Sequence, residues 1–158
     1  MGAEIAPWNE WNHESSLDWH LLKWESHEGV CRLIKDLNYL YQTEPALYQL
    51  DFSPQGFQWV DLHDADTSVI SFLRKGKNKL ETLLVVCNFT PIPRSEYLVG
   101  VPFEGSWAEI FNSDSHYYGG SNSGNLGEIQ TEEDPTHLHA ARLSLTLPPL
   151  STLILKLQ

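Results

Sequence analysis

Residues 142–157 have the sequence Arg-Leu-Ser-Leu-Thr-Leu-Pro-Pro-Leu-Ser-Thr-Leu-Ile-Leu-Lys-Leu. Two segments of it, Arg142–Leu147 and Thr152–Leu157, place leucine at every second position. Because successive side chains of a β-strand point to opposite faces, this alternation predicts two strands, each with a buried face. Pro148-Pro149 cannot donate backbone hydrogen bonds to a sheet, so it marks the break between the strands.

The same two-residue period recurs along the chain after Pro45. Short segments rich in β-branched and aromatic residues alternate with stretches that contain Pro, Gly, Asp or Asn. The additional candidate strands are Gly56–Val60, Ser68–Leu73, Leu83–Phe89, Tyr97–Val101 and Trp107–Asn112. Seven or eight short strands at this spacing predict a mainly β fold, an antiparallel β-sandwich. Residues 113–136 contain many Gly and Asn residues, which predicts a long surface loop.

One segment has the period of a helix. Over residues 27–42, apolar side chains recur three, four and seven positions apart, which predicts an amphipathic helix. Ser26 is the predicted N-cap, and Pro45 is expected to end the helix because it disfavours the α conformation of Glu44. A lone helix must bury its apolar stripe, so we expect it to dock on the sandwich or on a partner outside this chain.

Length and charge exclude several classes of protein. The chain has 158 residues, whereas a complete (β/α)₈ barrel needs about 250. Its 10 Lys and Arg against 21 Asp and Glu give a net charge of −11, which disfavours binding to nucleic acid or to an anionic membrane. The residues after Met1 do not resemble a signal peptide. Cys31 and Cys87 lie in apolar segments, which indicates two buried thiols in a reducing compartment.

The first 26 residues differ from the rest of the chain. Four of the six tryptophans lie within the first 24 residues, and neither a helical nor a strand period fits this segment. The alternation of rings with polar groups predicts a long, structured loop. Ordered loops of this length are more often functional than simple connectors.

Several motifs of the chain are specific enough to compare with a known family. They are Met1-Gly2-Ala3-Glu4, Trp8-Asn9-Glu10-Trp11-Asn12-His13-Glu14, Ser16-Leu17-Asp18-Trp19-His20-Leu21-Leu22, Gly29-Val30, Asp36-Leu37-Asn38, Glu44-Pro45-Ala46-Leu47, Gly56-Phe57, Asp64-Ala65-Asp66, Val85-Val86-Cys87-Asn88-Phe89-Thr90-Pro91, Asn112-Ser113-Asp114, Tyr118-Gly119-Gly120, Gly124-Asn125 and Leu145-Thr146-Leu147-Pro148-Pro149. Together they cover essentially the whole chain, and they resemble the C-terminal portion of bacterial 1,4-α-glucan branching enzymes, members of the α-amylase superfamily. The first 22 residues are the most specific part.

The resemblance implies a division of the chain near residue 46. Residues 1–46 would form the loop after the eighth strand of a (β/α)₈ barrel and its last helix, and residues 47–158 an all-β C-terminal domain. The family is cytoplasmic and acts in glycogen synthesis, where it transfers glucan chains from α-1,4 to α-1,6 linkages. The implied partners are an α-glucan (glycogen, amylose or a malto-oligosaccharide) and the remainder of the barrel.

The chemistry that the resemblance implies is retaining glycosyl transfer, which needs two carboxylates about 5–5.5 Å apart. In the family these carboxylates lie on earlier barrel strands, upstream of the segment that this chain resembles. The chain is therefore expected to hold no catalytic residue and to be inactive on its own. No cofactor and no metal is expected.

The predicted glucan-binding residues are Trp8, Asn9, Glu10, Trp11 and His13. An indole offers a flat apolar face to a sugar ring, while neighbouring polar groups can bond its hydroxyls. Alternatively, Trp8 and Trp11 pack the loop against the barrel wall, which is the favoured interpretation for Trp19 and Trp24.

Two other hypotheses remain open for the chain as a whole. It can be a free-standing glucan-binding module that uses the Trp8–Trp11 loop and Trp59, or a structural remnant without a ligand. A calcium loop at residues 61–66 is disfavoured, because the Gly and Glu of an EF-hand are missing and the aspartates are typical of Asx-turns. A spacing of seven is not a metal-ligand pattern, which disfavours a site built from His13, His20 and His27.

Overall fold

The computed structural model describes residues 1–158 and is built mainly of strands. Two helices come first, α1 (Glu25–Thr43) and α2 (Pro45–Tyr48). The strands are β1 (Phe57–Asp61), β2 (Val69–Lys75), β3 (Thr82–Asn88), β4 (Arg94–Val101), β5 (Ser106–Asn112), β6 (Glu128–Gln130), β7 (Ala141–Leu147) and β8 (Ser151–Leu157). Short 3₁₀ turns occur at Ala3–Ile5, Trp19–Lys23, Pro54–Gly56 and His116–Tyr118.

The strands form two antiparallel sheets. A six-stranded sheet has the order β1-β2-β3-β8-β5-β6, and β4 pairs with β7 in a second sheet. The main core lies between the sheets and consists of Val69, Leu73, Leu84, Val86, Val99, Val101, Trp107, Ala141, Leu143, Leu145, Leu147, Leu153, Leu155 and Leu157. The predicted antiparallel β-sandwich is confirmed, and each predicted strand matches an observed one to within three residues at either end.

The outer face of the six-stranded sheet carries a second, smaller core. Leu83, Val85 and Ile154 are buried there beneath α1. The apolar stripe of α1 packs on this face through Leu33, Leu37 and Leu40. The helix therefore docks on the sandwich, the first of the two expected outcomes, and the chain has three layers.

A β-bulge in β5 decides which side chains enter which core. Trp107 lies in the core between the sheets, whereas Phe111 lies in the core under α1. Residues four apart in a regular strand share a face. The register of β5 against β8 shifts between Glu109 and Phe111, and this shift turns Phe111 to the opposite side.

Several local predictions need correction. Ser26 is not the N-cap: α1 begins at Glu25 because the carbonyl of Trp24 already accepts the amides of His27 and Glu28, at 3.1 and 3.0 Å. Pro45 ends α1 as predicted but also starts the unpredicted helix α2, where its lack of an N–H costs nothing. The predicted loop over residues 113–136 contains the short strand β6, which pairs with β5.

Two further predictions concern cysteines and aspartates. Cys31 and Cys87 are free, and both are half-buried rather than fully buried. Burial raises the pKa of the Cys87 thiol. An Asx-turn is confirmed at Asp61, which accepts the amide of His63 at 2.8 Å, whereas Asp64 accepts the amide of Thr67, three residues on, at 3.3 Å.

Gly29→Ala in α1 is expected to destabilise the chain. A Cβ at Gly29 would lie 2.4 Å from the carbonyl oxygen of Tyr118. Such a clash costs about 1–3 kcal/mol, which outweighs the gain of about 1 kcal/mol in helix propensity. Urea unfolding measures the free-energy change, with the exposed Ser26→Ala as the control in the same helix. A more stable Gly29→Ala variant would contradict the close approach of helix and turn.

Stability is expected to fall in acid as Asp64 becomes protonated. Partial burial raises the pKa of Asp64, but hydrogen bonds from Thr67 and Tyr97 outweigh it and hold the pKa below its ordinary value. A depressed folded-state pKa gives stability that is present above the unfolded pKa and lost as pH falls through the folded one. As the pH is lowered from 5, the unfolding free energy should therefore fall less steeply in Asp64→Asn than in the parent chain. Parallel plots of unfolding free energy against pH for the two proteins would contradict this.

Candidate functional site

The loop predicted to bind glucan is held at its two ends by buried residues. Ile5 and Leu21 are almost completely inaccessible to solvent. They belong to the 3₁₀ turns Ala3–Ile5 and Trp19–Lys23, which the sequence period did not reveal. Between these turns, residues 8–16 are all exposed. The loop is thus an exposed segment with fixed ends.

His27 joins the start of this loop to α1. It is buried, and its Nδ1 lies 3.0 Å from the carbonyl oxygen of Ile5. A carbonyl can only accept, so Nδ1 carries the proton and donates. The edge of the His27 ring also meets the ring of Trp8, with centroids 5.2 Å apart and planes at 72°. One imidazole therefore fixes both the backbone and the first indole of the loop.

A polar depression of about 260 Å³ opens in the exposed loop. Its lining includes Asn9, Glu10, Trp11, Asn12 and Asp18. The amide of Asn9 donates to Asp18 at 3.2 Å. The depression thus combines one indole with amide and carboxylate groups, the combination that a sugar ring and its hydroxyls require.

The structure brings together three of the five predicted residues. Asn9, Glu10 and Trp11 line the depression, whereas Trp8 lies against His27. His13 stands beside the rim, where its ring centroid is 5.9 Å from that of Trp11. Sequence reasoning did not select Asn12 and Asp18, although both lie in the motifs that carry the family resemblance.

All four N-terminal tryptophans expose most of their surface. The exposed fractions are 73% for Trp8, 60% for Trp11, 59% for Trp19 and 60% for Trp24. This chain leaves more than half of Trp19 and of Trp24 uncovered, and their packing against a barrel wall remains a prediction. Large exposed aromatic surfaces commonly mark a binding site or an interface.

A second aromatic surface, here called the aromatic cluster, consists of Phe57, Trp59 and Phe72. Phe57 and Trp59 share a face of β1 because they are two positions apart, and Phe72 is the partner of Trp59 in the register of β1 and β2. The ring centroids lie 4.9 to 5.8 Å apart. Trp59 remains 47% exposed. Only Trp59 was selected from the sequence; the Phe57-Gln58-Trp59 alternation could have indicated Phe57.

Nowhere do three or more His, Cys, Asp or Glu side chains come together in an arrangement able to hold a metal ion. None of the helices combines the length and the apolar character needed to cross a membrane.

Comparison with known families matches residues 59–158 to the alpha-amylase C-terminal all-beta domain. The chain belongs to this family. Within the alpha-amylase C-terminal domain family, the match covers all eight strands except the first two residues of β1.

The whole chain, including the helices, is similar to curated branching enzymes. It is 57% identical over 156 residues to the 1,4-alpha-glucan branching enzyme GlgB of Aquifex aeolicus. The aligned residues are 99% of this chain and 25% of that protein. It is 53% identical to the enzyme of the same name from Rhodospirillum rubrum, over 99% of this chain and 21% of that protein. The chain thus spans a quarter or less of the length of these relatives, and it matches their C-terminal region. Among solved structures, the alpha-amylase from H.orenii aligns with 82% of this chain and 20% of its own, at TM-score 0.49 and 20% identity.

His27→Ala is expected to loosen the base of the loop. The substitution leaves the Ile5 carbonyl without its donor and removes the edge against which Trp8 packs, at a cost of about 1–3 kcal/mol. Urea unfolding measures the loss, and hydrogen exchange should be faster over residues 2–8. The exposed His20→Ala serves as the control and should change neither quantity. Equal effects of the two substitutions would contradict the role given to His27.

Proposed function

We propose that this chain is the C-terminal portion of a 1,4-α-glucan branching enzyme. The observation that carries the proposal is the 57% identity to such an enzyme over 99% of the chain, including the exposed loop and α1. In this proposal residues 1–46 are the last loop and helix of a catalytic barrel, and residues 47–158 are its all-β C-terminal domain. The enzyme acts in the cytoplasm, in agreement with two free thiols.

The chain's role is to support the barrel and to contact glucan, not to catalyse. A retaining mechanism needs a nucleophile and an acid/base carboxylate about 5–5.5 Å apart. Asp18, one of the carboxylates that line the loop depression, accepts a hydrogen bond from the side-chain amide of Asn9. In the family the reacting carboxylates lie upstream, so the isolated chain should introduce no α-1,6 branches into amylose.

The two faces of α1 support a place between the sandwich and a barrel. One face packs on the six-stranded sheet through Leu33 and Leu37. Another face carries a shallow depression of about 440 Å³ lined by Cys31, Ile34 and Tyr39, among others. The same depression is also lined by polar residues such as Lys35 and Asn38. A helix face of this mixed character left open suits a packing partner, for which we propose the remainder of the barrel.

The proposed glucan contact is tested by titrating the chain with maltoheptaose and following tryptophan fluorescence. Trp11 lines the depression and is the indole placed to stack on a sugar ring. We expect a saturable change at about millimolar sugar, weakened about tenfold in Trp11→Ala, which corresponds to roughly 1.4 kcal/mol. Trp19→Ala is the matched control, since Trp19 is equally exposed but outside the depression.

The outcome of this titration decides between the hypotheses. A flat titration of the parent chain would contradict the glucan contact and favour a purely structural segment. Equal weakening by Trp11→Ala and Trp19→Ala would place the contact elsewhere in the N-terminal segment. Formation of α-1,6 branches by the purified chain would contradict the non-catalytic role.

A second candidate function is a free-standing glucan-binding module, and the aromatic cluster favours it. Three stacked and edge-packed rings on an exposed sheet face resemble the platforms on which sugars stack. Trp59→Ala should then abolish retardation of the chain in a gel that contains soluble glycogen. Phe52→Ala is the control, because Phe52 is fully exposed and lies outside the cluster. Unchanged retardation in Trp59→Ala would exclude the cluster as the binding surface.

A further inference from the structure

One face of α1 contacts the 3₁₀ turn His116–Tyr118, here called the tyrosine turn, at three points. At Gly29 the backbones meet, since a Cβ there would lie 2.4 Å from the carbonyl oxygen of Tyr118. The guanidinium of Arg32 lies 4.9 Å from the ring centroid of Tyr117. The hydroxyl of Tyr118 donates to Asp36 at 2.7 Å. Positions 29, 32 and 36 recur three, four and seven residues apart, so they form one stripe.

The tyrosine turn is itself firmly attached to the strands of residues 47–158, here called the β-domain. The ring of Tyr118 packs against Phe111 of β5, with centroids 5.8 Å apart. The hydroxyl oxygen of Ser115 accepts the amide of Tyr117 at 3.2 Å and caps the turn. Just before the turn, the Asp114 carboxylate accepts three hydrogen bonds from the residues that follow it. The turn therefore offers α1 a rigid surface.

The Tyr118 hydroxyl remains a donor over the whole physiological pH range. Burial raises the pKa of Tyr118, and the neighbouring Asp36 carboxylate raises it further. The hydrogen bond to Asp36 is charge-assisted, and such bonds are stronger than those between neutral groups. Tyr118 thus joins the β-domain to α1 through a bond between residues 82 positions apart.

The stripe begins close to the base of the exposed loop. His27 lies two residues before Gly29, donates to the Ile5 carbonyl at 3.0 Å and contacts the ring of Trp8. A shift of α1 relative to the tyrosine turn therefore moves His27 and, with it, the start of the loop. The part of α1 from His27 to Asp36 therefore connects the tyrosine turn with the start of the exposed loop.

The C-terminal end of α1 is attached separately to the six-stranded sheet. Lys156 of β8 pairs with Glu44, which follows the last residue of α1, at 2.8 Å. This ion pair joins the same two parts of the chain, but it lies more than four helical turns from His27. It therefore supplies a matched control for any effect that comes only from loosening the helix.

We propose that Tyr118 is a positioning residue through which the β-domain sets the geometry of the Trp8–His13 loop. The proposal rests on the glucan contact proposed above. It gives the β-domain a part in glucan binding without a direct contact to the sugar. Tyr118 acts through Asp36, α1 and His27.

The test compares Tyr118→Phe, Asp36→Ala, their combination and Lys156→Met in the full 158-residue chain. Maltoheptaose titration should give a dissociation constant raised about two- to thirtyfold in both Tyr118→Phe and Asp36→Ala, the range seen for residues that act at a distance. The double variant should bind no more weakly than either single variant, because both remove one bond. Lys156→Met should bind as the parent does, even with a similar loss in thermal stability.

Hydrogen exchange over residues 5–14 is the second measurement, and it does not depend on sugar. Exchange should be faster in Tyr118→Phe and unchanged in Lys156→Met. The proposal is overturned if exchange in this segment is equal in the two variants, or if the parent binds glucan and Tyr118→Phe binds it equally well. If the parent chain binds no maltoheptaose, the proposed glucan contact fails, while hydrogen exchange still decides whether Tyr118 positions the loop.

Discussion

Neighbouring residues of β3 bury their side chains on opposite sides of one sheet. Leu84 and Val86 face the β4–β7 pair, whereas Leu83 and Val85 face α1. A sheet that is apolar on both faces is stable in water only when both faces are covered. The β4–β7 pair and α1 are therefore both needed to cover the six-stranded sheet, and the rest of the chain depends on this double burial.

This double burial does not follow the division of the chain near residue 46 that the family resemblance suggests. The proposed function assigns α1 to a catalytic barrel, yet its apolar stripe lies on the sandwich. Polar contacts strengthen the same boundary at two points, Tyr118 with Asp36 within the helix and Lys156 with Glu44 just after its last residue. Helix and sandwich are packed together through a shared core, and the exposed loop is attached to them through His27.

Most of the fold was predictable from the sequence because its strands have one clear period. Leu143, Leu145 and Leu147 show it, and all three are buried. Strand β6 was missed because three residues are too few to show any period. The N-cap of α1 was misplaced because the start of this helix depends on the backbone of Trp24, not on a side-chain pattern.

The candidate site was only partly predictable. Residue types and spacing led to Asn9, Glu10 and Trp11, which do share a depression. They could not show that Trp8 rests on His27, since that contact joins two elements through a tertiary fold. The aromatic cluster was missed for a similar reason, because the meeting of Trp59 and Phe72 depends on the register between two strands.

The bulge in β5 ties the length of that strand to the composition of two cores. A regular strand of the same length, without the bulge, would point Trp107 and Phe111 to the same side of the sheet, because residues four apart share a face. The core between the sheets would then have to enclose a second large ring, and the opposite core would lose the ring on which Tyr118 rests. Deleting the unpaired Ile110 would remove the bulge and still leave the two rings on opposite sides, because residues three apart in a regular strand face opposite ways. A single-residue deletion should therefore be tolerated better at the bulge than elsewhere in β5.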